Sequence, residues 1–348
     1  MSNLKPSSHI KFYLPKDQIN DATSYYIDLI KNAFLDSDFR VSTFHKNDFE
    51  INNSDYIVVV SSLNFLNVYR RNRKAKIIMW FQGLTPEESK MMRGNSLSSK
   101  MRFLAYNWME RKTIHNSYFN FFVSDRMQRH YSEKYKYYGD NFLIIPCYNK
   151  GLNKEYFTSK IKPESSFVYA GGIFPWQCFT ETAHIFREIE KKNPDALLTV
   201  LTKDQEKAEK VIKAEGVLNY KIKYVSLEEV MGELGKHKYG FLLREDNIVN
   251  NCATPTKMNT YLSAGLIPIH TYAIDAFNEH INLDGFEIKG NLESEKTKLA
   301  EEILLHDNIQ IDYNTYYDVC HSNFKEYFDD TYHIERIKSE LISRINAN

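Results

Sequence analysis

Short apolar runs separated by stretches of helical spacing recur along the whole chain. In the first half the runs are HIKFYL (9–14), FRVSTF (39–44), YIVVVSS (56–62), KIIMWFQG (76–83), FNFFVS (119–124) and FLIIP (142–146). Helical patterns lie between them near 22–35, from about Leu97 onward and near 125–135. Strands that alternate with helices build a parallel sheet with helices on both faces, so this half predicts one Rossmann-like unit. A polar stretch without periodicity follows Pro146 and reads as a linker. A second series then begins: FVYAGG (167–172), ALLTVLT (196–202), KIKYVS (221–226), YGFLLR (239–244) and LIPIH (266–270), with helical patterns between. In the helix from Cys178, Phe179, Ala183, Phe186 and Ile189 share one face, which marks it as a cover for a sheet. The chain thus divides into a first domain (1–150), a linker (151–165), a second domain (166–310) and C-terminal helices (311–348) that cross back toward the first.

Composition narrows the function classes. Lys+Arg and Asp+Glu both number 45 in 348 residues, so no whole-chain field favours nucleic acid. Four separated cysteines form no C-x-x-C pair, which fits a reducing cytoplasm rather than a disulfide framework or zinc site. The start of the sequence lacks an apolar core of signal-peptide length, and no later run approaches the roughly 18 apolar residues of a membrane span. A cytoplasmic protein, soluble or peripheral at the membrane, is the resulting expectation.

In open parallel sheets, ligands bind beyond the carboxyl ends of the strands. Four such loops in the second half carry candidate chemistry: Gly171-Gly172, Thr202-Lys203, Arg244-Glu245, and the segment from Asn250 to Lys257. Two glycines allow close backbone approach to a bulky ligand, though a tight turn explains them equally well. The last segment is the strongest. Thr254 suits a helix N-cap and Pro255 the first helical position, leaving the amides near Thr256 and Lys257 pointing out of a positive helix end beside a lysine. That combination suits a diphosphate.

Here the chain resembles a known family. The run Pro255-Thr256-Lys257-Met258-Asn259-Thr260-Tyr261-Leu262-Ser263-Ala264-Gly265, then Leu266-Ile267-Pro268-Ile269, is similar to the P-x-K-x-x-E-Y-L-A-x-G motif and following strand of two-domain GT-B glycosyltransferases. Bacterial capsule and lipopolysaccharide enzymes of group 1 (family 4) are the nearest likeness. Tyr169-Ala170-Gly171-Gly172 with Trp176-Gln177, and Asn250 ahead of the motif, fit the same group. Two departures stand out. Thr260 occupies the place of the glutamate that contacts the donor ribose, so Asn259 or Glu245 would have to substitute. The usual arginine and lysine of the first C-terminal loop are replaced by GGIFPWQ, which leaves Lys203, Arg244 and Lys257 as cations for the diphosphate.

The resemblance implies an α/β GT-B fold, two Rossmann-like domains facing across a cleft, with a nucleotide-diphosphate sugar as donor substrate. It implies no cofactor and no metal, since helix amides and basic side chains neutralise the leaving group, and transfer with retention to a surface glycan or polyprenyl-linked acceptor. The acceptor-side candidates are Gln82 and Gly83, with Glu87 and Glu88 as carboxylates that could orient or deprotonate a hydroxyl. Helix-start acidity explains the two glutamates equally well. From 97 to 112, Leu97, Met101, Leu104 and Trp108 share one helical face among Lys100, Arg102, Arg111 and Lys112, with Arg70, Arg71, Arg73, Lys74 and Lys76 upstream. Docking on anionic lipid and a core helix with a basic outer face are the two readings. A nucleotide-sugar epimerase and a non-catalytic GT-B module that binds a partner enzyme are the competing functions.

Overall fold

The computed structural model describes residues 9–18, 21–158, 162–292 and 296–347. Residues 1–8, part of the linker (159–161), and positions 293–295 and 348 of the C-terminal stretch lie outside the described residues. Two compact units emerge. One comprises the chain up to Asn149 with Cys252–Thr254 and Asp329–Asn348; the other comprises Lys150–Asn251 and Pro255–Phe328.

The first unit holds a six-stranded sheet in the order β2-β1-β3-β4-β5-β6. Its strands are β1 (His9–Tyr13), β2 (Arg40–Phe44), β3 (Tyr56–Val59), β4 (Lys76–Phe81), β5 (Phe119–Phe122) and β6 (Phe142–Ile144). Every pairing is parallel. Both faces of such a sheet are covered, which is why β3, β4 and β5 read as continuous apolar runs, whereas the edge strand β2 carries polar, half-exposed positions. The covering helices are α1 (Asp21–Leu35), α2 (Ser62–Arg71), α3 (Thr85–Arg93), α4 (Leu97–Asn116) and α5 (Asp125–Tyr135).

The second unit repeats the plan in the order β12-β11-β10-β7-β8-β9, again all parallel. Its strands are β7 (Ser166–Ala170), β8 (Leu197–Leu201), β9 (Tyr220–Lys223), β10 (Tyr239–Leu242), β11 (Ile267–Thr271) and β12 (Ile288–Gly290). Its helices are α6 (Glu155–Thr158), α7 (Phe179–Lys192), α8 (Gln205–Ala214), α9 (Leu227–Leu234), α10 (Ile248–Asn251), α11 (Thr256–Ser263), α12 (Asp275–His280), α13 (Lys296–Asp307) and α14 (Tyr313–Tyr327). The α7 face read from the sequence is buried as a row of Phe179, Ala183, Phe186 and Ile189. The stretch 311–348 divides: α14 belongs to the second unit, while α15 (Asp330–Ile337), a π turn at Lys338–Ile342 and α16 (Ser343–Asn346) belong to the first. There Asp330 accepts from the Tyr25 hydroxyl at 2.8 Å and Arg336 donates to the carbonyl of Ile144 at 2.9 Å, tying the end of the chain to α1 and β6.

Two sequence expectations require correction. Thr254 is not the cap of α11: Pro255 precedes its first turn, no side chain caps it, and the Thr254 hydroxyl accepts from the Cys147 amide within the first unit. The Leu97, Met101, Leu104 and Trp108 row does not enter the core, because Ser99, Glu110, Thr113 and Ile114 take the buried face of α4.

Candidate functional site

The loops after β7 and β10 and the start of α11 bring together three side chains in the second unit. Arg244 follows β10 and is 3% exposed, with its backbone locked by reciprocal bonds to the Thr271 hydroxyl. Its guanidinium donates to the carbonyl of Leu243 at 2.8 Å and to the side-chain oxygen of Gln177 at 3.2 Å. Lys257, half-buried in the first turn of α11, donates to that same Gln177 oxygen at 2.5 Å and lies 4.1 Å above the Tyr169 ring. No carboxylate pairs with either cation among the described residues. Burial, and then the neighbouring Arg244, push the Lys257 ammonium well below the usual lysine range; burial also pushes Arg244 down.

The surrounding residues explain why this geometry forms. Tyr261 of α11 is fully buried, and its hydroxyl accepts from the Ala170 amide and donates to the Phe241 carbonyl, which fixes α11 against the ends of β7 and β10. Gly240 makes room for that ring, since a Cβ there would lie 2.6 Å from it. Gly171 is needed on two counts: its φ is +129°, and a Cβ would lie 2.7 Å from the Lys257 side chain. The Tyr169 hydroxyl donates to the carbonyl of Gly172 and holds the loop beyond it. The amides of Thr256 and Lys257 open the uncapped helix, so the positive helix end and two cations meet in one place.

Beside this cluster, a cavity of about 400 Å³ is lined by Gly171, Gly172, Phe174, Thr202, Lys203 and Tyr224. Phe174 stacks on Trp176 at 5.1 Å, and Lys203 is exposed over the Tyr224 ring. Thr202 is buried and its hydroxyl accepts from the Asp204 amide. The remaining candidates are placed differently. Asn250 is buried and donates to the Glu245 carbonyl, so it shapes the loop that exposes the Glu245 carboxylate. Asn259 spends both ends of its amide on the backbone of Lys150. Thr260 donates to the carbonyl of Thr256. Sequence reasoning named Tyr169, Gln177 and Tyr261 only as parts of the family resemblance and gave none of them a role in the site; their places beside Gly171-Gly172 and inside the motif were the available signal.

In the first unit, Gln82 directly follows β4, is exposed, and accepts from the Thr23 hydroxyl at 3.1 Å. Gly83 packs so closely on Glu88 that a Cβ would overlap the carboxylate. Glu88 accepts from the Leu84 amide at 3.1 Å, and burial pushes its carboxyl up. Glu87 contacts Lys134 at 2.5 Å and His130 at 3.5 Å. Burial alone would raise the Glu87 carboxyl, but the bonds from His130 and Lys134 outweigh it and hold it below the usual range. Both glutamates are therefore engaged within the unit, one with a helix start and one with an ion pair. Glu110 of α4, 4.0 Å from Lys134, accepts from the Tyr135 hydroxyl at 2.9 Å, and burial pushes it up to about 8.

No protein-family model and no curated sequence matches the chain. Solved structures do match. A structure of TarM from S. aureus in complex with UDP is 10% identical with a TM-score of 0.61, over 86% of this chain and 56% of that one. The pneumococcal O-GlcNAc transferase GtfA in complex with UDP and GlcNAc is 11% identical with a TM-score of 0.61, over 86% and 58%. The chain thus spans little more than half the length of these two. WaaG, a glycosyltransferase involved in lipopolysaccharide biosynthesis, is 12% identical with a TM-score of 0.63, over 95% and 99%. With two parallel six-stranded sheets interleaved by helices, the chain has the GT-B fold of these glycosyltransferases.

Proposed function

We propose that this chain is a glycosyltransferase that holds a nucleotide-diphosphate sugar in its second unit and transfers the sugar, with retention, to a bacterial surface polysaccharide or lipid-linked glycan. The observation that carries the reading is the Arg244–Lys257 pair, two cations that share one neutral acceptor, Gln177, and have no carboxylate partner among the described residues. Burying charge without a counter-ion is costly, and a diphosphate supplies that counter-ion. The amides of Thr256 and Lys257 would add donors, and the cavity between Gly172, Phe174, Thr202, Lys203 and Tyr224 would take the nucleoside, with Glu245 free to reach a ribose hydroxyl. TarM and GtfA were solved with UDP, which makes a uridine donor the first to test. Arg244 and Lys257 would neutralise the departing diphosphate without a metal. Gln82 and Gly83 lie on the proposed acceptor side. Attachment at the inner face of the cell membrane completes the reading, because a polyprenyl-linked acceptor is presented there.

The test is thermal unfolding of the purified chain against UDP, GDP, CMP, dTDP and their sugars, with EDTA present throughout. A ligand at one hundred times its Kd stabilises the folded state by about 2.7 kcal/mol, which reads as a rise of several degrees. Stabilisation by one nucleotide class in the presence of EDTA is expected; a folded protein indifferent to all of them would overturn the donor site, and stabilisation that appears only in a parallel series with magnesium in place of EDTA would overturn metal independence. One observation favours the non-catalytic alternative: Thr260 stands in place of the family glutamate and is bonded within its own helix. Donor binding with neither hydrolysis nor transfer would decide for it.

A further inference from the structure

Helix α4 is amphipathic in the reverse of the usual sense. Its buried face carries Ser99, Glu110, Thr113 and Ile114, while Leu97, Met101, Leu104 and Trp108 are 76%, 66%, 67% and 55% exposed. At 100° per residue these four fall within about 60° of arc, on the side opposite the buried one. Met92, near the end of the preceding α3, is exposed as well. Lys100 and Arg111 flank the row on one side and Lys112 on the other, all exposed. The basic end of α2 joins them, since the Tyr69 hydroxyl donates to Asn116 and Lys112 lies over the Tyr69 ring. Arg70, Arg73 and Lys74 there are exposed.

The charge balance of this surface is one-sided. Between 56 and 124 the sequence has eleven lysines and arginines but only three carboxylates, in a chain whose net charge is zero. All three carboxylates turn inward: Glu87 to Lys134, Glu88 to its own helix start, and Glu110 to the interior, where burial keeps it protonated at neutral pH. An exposed row of large apolar side chains without acidic neighbours, set among lysines and arginines, matches a surface whose outside is anionic and whose inside is hydrocarbon. A second copy of the chain fits poorly, because a two-fold contact through this face would set the same cationic patches against each other.

We infer that the outward face of α4 inserts into the headgroup region of an anionic phospholipid bilayer, with the helix lying in the plane of the interface. Among the described residues no helix is long and apolar enough to cross a membrane, so insertion is shallow. For its purpose the inference rests on the proposed lipid-linked acceptor, but its test requires neither donor nor acceptor. Each basic residue near an anionic surface strengthens binding about fivefold, so the attachment weakens as salt rises.

The experiment is flotation of the full chain with vesicles of phosphatidylcholine alone and of phosphatidylcholine mixed with phosphatidylglycerol. Three proteins are compared: wild type, Leu104→Ser with Trp108→Ser, and Lys100→Glu with Arg111→Glu. These four side chains are on the surface, so circular dichroism and the nucleotide-induced thermal shift, read on the same preparations without vesicles, should match wild type and keep this test separate from that of the donor site. Wild type is expected to float with the anionic vesicles and each variant to bind them more than tenfold more weakly. The inference is overturned if wild type ignores anionic vesicles, if the variants float as well as wild type, or if the apolar row instead drives a concentration-dependent dimer that Trp108→Ser dissolves.

Discussion

Two buried charge clusters, one in each unit, differ in a way that separates binding from architecture. In the first unit Glu87 meets Lys134 and His130, and Glu110 meets Lys134 and Tyr135, so each charge has a partner of opposite sign or is held neutral. In the second unit Arg244 and Lys257 face one amide oxygen and each other. The first arrangement balances its charges without a ligand and joins α3, α4 and α5, although Glu87 Oε2 and His130 Nε2 are buried without a hydrogen-bond partner among the described residues. The second lacks an anion, and its cations repel until one arrives. Glutamates at a strand end look like catalytic candidates in a sequence, yet the cluster with the missing counter-ion is where a substrate would contribute most.

The comparison breaks first at Lys134. Lys134→Ala leaves the half-buried Glu87 without its shortest ion-pair contact, and loss of one partner of such a pair costs on the order of 2 kcal/mol, less than for a fully buried pair. Urea denaturation should show a loss of that order, with UDP affinity of the folded fraction unchanged; an unaltered midpoint would mean the cluster is not structural. Next is Glu110. Its carboxyl stays protonated in the folded chain up to about 8, against an ordinary value of 4.5. Between these pH values the unfolded chain releases a proton that the folded one keeps, so the contribution of this group to stability falls as pH rises, by about 1.4 kcal/mol per unit and a few kcal/mol in all, and is level above pH 8. Glu110→Gln should flatten that slope, and comparing urea midpoints at pH 5 and pH 8 measures it. A wild-type slope retained in the variant would place the titration elsewhere.

In the second unit the expected pattern reverses. Lys257→Ala removes a cation that repels Arg244, so the free protein should be no less stable, while UDP binding weakens about a hundredfold through the lost charge-assisted bond. Isothermal titration and thermal unfolding read the two effects together. A variant that loses stability but keeps its affinity would make Lys257 architecture, like Lys134.

How much of this was legible in the sequence follows from the same physics. Strands buried on both faces must be largely apolar, so the inner strands of both sheets stood out as runs, and the edge strands β2 and β9 showed from their place in the alternation with helices although their positions are polar and part-exposed. The three-residue β12 did not, because Ile288–Gly290 is too short to show a pattern. The ten-residue α2 passed unread despite its Ser61 cap. Arg244, Lys257 and Gly171 were legible because cations and glycines at strand ends are informative singly. Gln177 is a neutral residue that matters only because side chains from two other segments, Arg244 and Lys257, converge on its oxygen, and no local pattern encodes that. In α4 the spacing of Leu97, Met101, Leu104 and Trp108 defined a face, but periodicity alone does not say whether a face turns inward or outward.

The smallest effect, and the sharpest test of the comparison, concerns Gln177. Its oxygen occupies the point where Arg244 and Lys257 converge, as a phosphate oxygen would, but carries no full charge. Gln177→Glu would place a carboxylate there with almost no change in volume and turn the second cluster into a copy of the first, its charges balanced without a ligand. The free protein should then melt at a higher temperature, UDP should bind about tenfold more weakly, and the stabilisation by UDP should shrink accordingly. Gln177→Ala should do the opposite to the free protein, lowering its melting temperature by taking the shared side-chain acceptor from Lys257 and leaving Arg244 with main-chain carbonyls alone, while UDP restores more stability than in wild type. If both variants behave as wild type, the Gln177 oxygen is not in the anion seat, and the contrast between a satisfied cluster and an open one has to be drawn around other residues.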